Sequence, residues 1–238
     1  MYRKEIEDLY FVYQPIVKVC LAEDREVHAY EVLLRSRKTN GFPLELFMKL
    51  IHTNEGNAVL LEKCMELIAT YFSGTEKTRV CLNLHQDQLL HSSTWDYLEK
   101  MTPYSERLVL EITELPPYYL RYTDNQNSLD LKSVMGRIKS YGFHIALDDI
   151  SSGQNTMLTA IENIHNLSYV KFSLLPFRKM EETSLFLFLK AWQHTVNHYG
   201  ICFIVEGVED KAYAKKLMEI GVLYQQGYYW GRGKELTS

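Results

Sequence analysis

Apolar residues in this chain follow two rhythms. Short runs rich in Val, Ile, Leu, Phe and Tyr recur at residues 10–19 (YFVYQPIVKV), 26–34 (EVHAYEVLL), 79–84 (RVCLNL), 107–112 (RLVLEI), 143–147 (FHIAL), 169–172 (YVKF), 201–205 (ICFIV) and 222–226. Their length and β-branched content predict strands. Between them apolar positions return every three or four residues, the spacing of one helix face. This predicts helices over 44–51, 57–72, 94–101, 129–140, 154–164, 181–198 and 210–220. In the second of these, Leu60, Leu61, Cys64, Leu67 and Ile68 make the stripe. Gly142, Gly200 and Gly221 follow three of the helices, where a left-handed closing residue is common. Asn40-Gly41-Phe42-Pro43 reads as a turn before the first helix, and the polar stretch 116–128 reads as a loop.

Eight strands alternating with helices predict an α/β fold, a (β/α)8 TIM-like barrel formed as one domain over residues 1–238. A doubly wound open sheet is the alternative that periodicity leaves open. One further pattern favours the barrel. Parallel strands read as near-continuous apolar runs, yet nearly every strand is expected to end in a polar or charged residue: Glu31, Asn83, Glu111, Asp148 with Asp149, Lys171, Glu206 and Gln226. In a barrel the C-terminal strand ends converge on one mouth, where active sites are built. Taken singly, each has a plainer role. The Asp148-Asp149-Ile150-Ser151-Ser152 run could cap the helix expected near Gln154, and Lys171 could pair with one neighbouring carboxylate.

Taken together they pose a charge problem. Five clustered carboxylates repel, and burying them unpaired is costly. Lys171 supplies a single cation, so the site calls for divalent metal. Oxygen donors without His or Cys suit hard ions, Mg2+ or Mn2+, better than zinc. Two such ions side by side activate water and stabilise in-line displacement at phosphorus. The residues alone therefore point to metal-dependent phosphoryl chemistry.

Composition narrows the class. The chain has 238 residues, 46% apolar and 24% charged, with 12 Gly and 6 Pro, too few for low-complexity or disordered character. Its net charge of −4 argues against a general DNA or membrane-surface binder. The four cysteines, Cys20, Cys64, Cys81 and Cys202, form no CxxC pair, which argues against a zinc site or a disulfide framework. No apolar run is long enough to span a bilayer, and MYRKEIEDLY lacks the apolar core of a signal peptide, so no membrane insertion and a cytoplasmic location are expected.

Motifs add a resemblance over essentially the whole chain. Glu31-Val32-Leu33-Leu34-Arg35 resembles the E-A-L-x-R signature of EAL domains, which hydrolyse the bacterial second messenger cyclic di-GMP. Tyr13-Gln14-Pro15-Ile16 resembles their Y-Q-P-I, Leu82-Asn83-Leu84 their asparagine strand, and Leu110-Glu111-Ile112-Thr113-Glu114 their L-E-I-T-E. Asp148–Gly153 (DDISSG) resembles D-D-F-G-T-G, and Val170-Lys171-Phe172-Ser173 stands in the place of L-K-I-D. Glu206-Gly207-Val208-Glu209 and Gln226-Gly227-Tyr228 complete the ordered series.

The resemblance implies a barrel whose first strand is antiparallel to the rest, and hydrolysis of cyclic di-GMP to linear pGpG with Mg2+ or Mn2+. It implies that Glu31, Asn83, Glu111, Asp148 and Asp149 hold two metals, with Glu206 and Gln226 supporting the metal and water network. Lys171 would orient or deprotonate the attacking water. Gln14 and Arg35 would bind substrate, Arg35 at phosphate, for which its fork of donors is suited. Glu114 would brace the loop at 149–153, which the family couples to homodimer formation. Ca2+ would inhibit, because its looser geometry aligns water poorly. Departures lie at Val32 in the signature, Ile150, Ser151 and Ser152 in the loop, Ser173 after the lysine, and the closing Trp230-Gly231-Arg232-Gly233, which lacks the family's proline. They motivate an alternative: a catalytically degenerate domain acting as a cyclic di-GMP receptor or protein-interaction module.

Overall fold

The computed structural model describes residues 2–20, 24–74, 78–114 and 129–235, so the loop expected over 116–128 lies outside the described residues. Eight strands close a barrel. β1 (Leu9–Val19) pairs antiparallel with β2 (Arg25–Ser36) along its whole length. From β2 the order runs in parallel through β3 (Arg79–Leu84), β4 (Leu108–Ile112), β5 (His144–Leu147), β6 (Tyr169–Ser173), β7 (Cys202–Glu206) and β8 (Tyr224–Gln226). β8 then pairs antiparallel with β1 and closes the ring. A two-residue strand, β9 (Lys234–Glu235), adds to β1 at Val12 and Tyr13 and had no sequence signal.

Seven helices lie between the strands among the described residues: α1 (Leu44–Ile51), α2 (Asn54–Ser73), α3 (Ser92–Met101), α4 (Leu131–Ser140), α5 (Met157–Glu162), α6 (Glu182–His198) and α7 (Lys211–Glu219). None is long and apolar enough to cross a membrane. α2 begins three residues earlier than the expected start at residue 57 because Thr53 caps it, accepting from the Gly56 amide. Gly142, Gly200 and Gly221 all adopt the left-handed conformation expected after a helix. Among the described residues β1 and β2 follow one another without an intervening helix, and α2 covers their outer face, with Tyr71 stacked on Tyr13 at 5.4 Å.

The two faces of each strand make two cores. Outward residues such as Leu82, Leu110, Leu147, Phe172 and Val205 pack against the helices. Inward residues Ile16, Ala29, Cys81, Val109, Ala146, Tyr169 and Ile204 fill the lower barrel. Side chains alternate with period two, so the next inward position is two residues along: Glu31, Asn83, Glu111, Asp148, Lys171 and Glu206. β1 runs the other way, so its next inward position is two residues back, Gln14. An apolar floor thus carries a polar layer directly above it.

Candidate active site

The polar layer centres on Lys171. Its side chain is fully buried, and its ammonium lies 2.7 Å from Glu206 Oε1, 2.8 Å from Glu111 Oε2 and 3.2 Å from both Glu31 Oε2 and Asp148 Oδ1. Glu31 also accepts from Asn83 Nδ2 and from Gln226 Nε2, each at 2.6 Å. Gln226 Nε2 donates to Gln14 Oε1 as well, and Gln14 Nε2 donates to the Gly231 carbonyl. Seven residues expected at the mouth therefore form one network drawn from six strands and the end of β5, and Gln14 of β1 joins it. Glu31 sits mid-strand, because β2 runs on past the rim to Ser36.

Ionisation in this layer is divided by environment. Burial pushes the Glu111 carboxyl up to about 8 against the pull of Lys171, with Glu31 and Asp148 adding repulsion. Burial also raises Glu206 well above the carboxylate range, again against Lys171. At Glu31 burial is outweighed by Lys171 and the two amide donors, so its pKa is lowered. Burial disfavours the charged form of Lys171, but Asp148, Glu111, Glu206 and Glu31 together raise its pKa well above the ordinary value. The lysine is held as an ammonium.

Asp148 and Asp149 follow β5 in a strained loop. Asp149, Ser151 and Gly153 have φ of +45°, +71° and +49°, the left-handed region. A Cβ at Gly153 would lie 2.4 Å from the Glu114 carbonyl, so only glycine fits there. That carbonyl accepts from the Gln154 amide at 2.9 Å, which ties the loop to Glu114. Ile150 is buried and donates its amide to the Lys171 carbonyl. Ser151 donates its amide to the Asn155 carbonyl and accepts from the Trp192 indole at 2.8 Å. The capping role open to the aspartates falls to Thr156, which accepts from Thr159 at the start of α5. The loop delays that helix to Met157, three residues beyond the expected start.

Oxygens of Asp148, Asp149 and Glu206 all lie within 4.8 Å of one another, close enough to share a cation. Burial, then Asp148 and Glu114, push Asp149 up to about 7. Asn83 Oδ1, Glu111 Oε1 and Gln226 Oε1 are buried without a hydrogen-bond donor among the described residues. Buried polar atoms are rarely left so. An all-oxygen donor set with unsatisfied members fits a hard divalent ion.

A cavity of about 430 Å³ opens beside this layer. Glu31, Asn83, Glu114, Asp148 and Asp149 line its polar side with Arg35, whose guanidinium donates to the Leu34 carbonyl at 2.8 Å. Phe11, Phe47, Leu60 and Leu61 line the apolar side. Sequence reading missed Asn155. It is fully buried, and its Nδ2 donates to the carbonyls of Ile112 and Asp148, fixing the strand end that carries the aspartates. A single amide beside Gln154 in this loop gave the sequence reading nothing to single it out.

Comparison with known proteins bears on this geometry. The EAL domain family model matches residues 2–233. A probable cyclic di-GMP phosphodiesterase of Escherichia coli (strain K12), PdeN, is 26% identical over 239 residues, which are 95% of this chain and 43% of that protein. The chain thus spans less than half the length of this curated relative. A stand-alone versatile EAL protein from Vibrio cholerae O395, solved in its c-di-GMP-bound form, aligns with a TM-score of 0.71 at 21% identity, over 95% of this chain and 92% of that one. Klebsiella pneumoniae BlrP1, solved in a manganese and cyclic di-GMP complex, aligns with a TM-score of 0.73 at 20% identity, over 95% of this chain and 56% of that one. These structures share the barrel.

Proposed function

The chain belongs to the EAL domain family, and from that premise we propose that it is a metal-dependent phosphodiesterase hydrolysing cyclic di-GMP to linear pGpG. The observation that carries the reading is the acidic layer around Lys171, with Asp148, Asp149 and Glu206 within shared-ion distance. The relatives solved with c-di-GMP and with manganese support it.

Glu31, Asn83, Glu111, Asp148 and Asp149 would hold two Mg2+ or Mn2+ ions, with Glu206 beside the aspartate pair. Such ions supply positive charge at the phosphate oxygens and bring the pKa of water toward neutrality. The chain's own residues do the rest. Arg35, on the cavity wall, offers its fork of donors to a phosphate. Gln14 and Gln226 are linked side chain to side chain, and Gln226 donates to Glu31 in the same layer. Lys171, fixed as an ammonium by its carboxylates, donates a hydrogen bond that orients water rather than accepting its proton. Glu114 braces the aspartate loop through its carbonyl. The apolar side of the cavity takes up planar base surface away from water. Ca2+ would bind the same oxygens with looser geometry and inhibit.

The test is incubation of cyclic di-GMP with the protein and Mg2+ or Mn2+, following pGpG by chromatography. Appearance of pGpG, suppressed by Ca2+ and absent in Glu31→Ala, supports the reading; intact nucleotide with both metals overturns it. Ser151, left-handed where the family pattern has glycine, favours a second reading, a receptor that binds without turnover. Calorimetric binding with cyclic di-GMP recovered unchanged would establish that instead.

A further inference from the structure

We propose that Trp192 is a positioning residue for the metal site: its indole N–H, donated to Ser151, holds the loop that carries Asp148 and Asp149 in its ion-binding shape. The inference rests on the metal-site reading above and concerns residues outside the ligand set.

α6 presents Leu185, Leu189, Trp192 and Val196 as its buried stripe. These positions recur at helical spacing, and the indole N–H is the one side-chain polar atom among them. Trp192 is fully buried, so its N–H is cut off from water and needs an acceptor inside the protein. Ser151 Oγ provides it at 2.8 Å, across 41 residues of sequence. The acceptor stands two residues after Asp149 and three after Asp148.

The backbone at Ser151 explains why this bond matters. With φ of +71° the residue occupies a region that glycine enters freely and serine does not. Glycine, the family's residue here, would relax the backbone but offer no side-chain acceptor. Serine accepts an unfavourable conformation and satisfies the indole. The left-handed serine and the bond it accepts from the indole are therefore one arrangement. Besides the ties made by Gln154 and Asn155, three bonds pin the loop at Ile150 and Ser151: Ile150 to the Lys171 carbonyl on β6, Ser151 to the Asn155 carbonyl within the loop, and Ser151 to Trp192 on α6. Only the last links the aspartates to a helix on the outside of the barrel.

The experiment is a double-mutant cycle read by Mn2+ titration, following the free-ion electron paramagnetic resonance signal, with Tm recorded in parallel. Wild type, Trp192→Phe, Ser151→Ala and the double variant are compared, and Asp149→Asn marks the site. Each single change should weaken Mn2+ binding about three- to tenfold, the size of one lost hydrogen bond. The double variant should be no weaker than the weaker single, because both remove the same bond. Lower Tm with unchanged Mn2+ affinity in the single variants means that the bond is merely structural, and overturns the inference while the metal-site reading stands. Losses that add fully in the double variant overturn it as well. A wild type that takes up no Mn2+, or loses none of its uptake in Asp149→Asn, overturns both. If Trp192→Phe does not fold, Ser151→Ala removes the same bond from the loop side and decides by the same criterion.

Discussion

Replacing Lys171 by Met removes the one cation from the centre of the acidic layer while nearly preserving side-chain length. Four carboxylate oxygens lie 2.7–3.2 Å from the ammonium. At those separations and an effective dielectric near 20, each attraction to an ionised partner is worth roughly 5–6 kcal/mol before desolvation, and raised pKa values leave Glu111 and Glu206 contributing less at neutral pH. Most of that sum is cancelled by the cost of burying the lysine and by mutual repulsion among the acids. The variant can also shed charge by protonating one or two of them. The net loss should therefore resemble that of breaking a buried ion cluster, about 3–5 kcal/mol. For a domain of this size that corresponds to a fall in Tm of roughly 6–20 °C. The assay is thermal unfolding in EDTA at neutral pH, repeated in acid and then with Mn2+. The deficit should shrink in acid, where the carboxylates are neutral, and shrink again with Mn2+, which supplies the missing charge. A metal-free Lys171→Met protein as stable as wild type would refute the reasoning, because the four acids would then not depend on a cation.

Four other outcomes follow from the same layer and the loop that follows β5. Glu111 and Asp149 have folded pKa values raised from 4.5 to about 8 and from 3.8 to about 7, so the folded state holds these protons more tightly than the unfolded chain. Their contribution is fully present below the unfolded values and is lost as pH rises through the folded ones; urea unfolding in EDTA should show stability falling across that window, and a flat profile would contradict it. Metal must displace the same protons, so calorimetry in buffers of different ionisation enthalpy should show proton release on Mn2+ binding, and none would contradict it. Gly153→Ala puts a Cβ against the Glu114 carbonyl at a left-handed position; displacement of the aspartates should cost about a hundredfold in turnover, and an unchanged rate would show that the loop tolerates movement. Asn155→Ala strips the carbonyls of Ile112 and Asp148 of a donor, with an expected loss of about 1–3 kcal/mol in chemical unfolding; no loss would mean that water replaces the amide.

Much of this was legible in the residue pattern because barrel strands are buried on both faces, so a polar residue inside one stands out. Glu111 in LVLEI and Lys171 in YVKF are of that kind, and both lie fully buried in the layer. Their convergence was inferred from the fold class, and the period-two step from Val109 to Glu111 and from Tyr169 to Lys171 supplies its physical basis. The antiparallel course of β1 was not visible in periodicity, which reads the same in either direction; it came from resemblance. For that reason Gln14 could not be placed by counting from a strand end. The aspartate pair was ambiguous between cap and site, and only the Thr156 cap settles where the helix begins. Asn155 and Trp192 carried no signal, since a single amide in a loop and a single indole on an apolar helix face each have ordinary explanations. β9, two residues long, is set by pairing with β1 rather than by its own composition.

Anomalous scattering from crystals soaked in Mn2+ tests the central claim most directly, because it shows where the ions sit without depending on turnover. The account predicts paired manganese peaks at the barrel mouth, one shared by Asp148, Asp149 and Glu206 and the other within reach of Glu31, Asn83 and Glu111. Peaks confined to the outer surface, with Lys171 still enclosed by its four carboxylates, would contradict it.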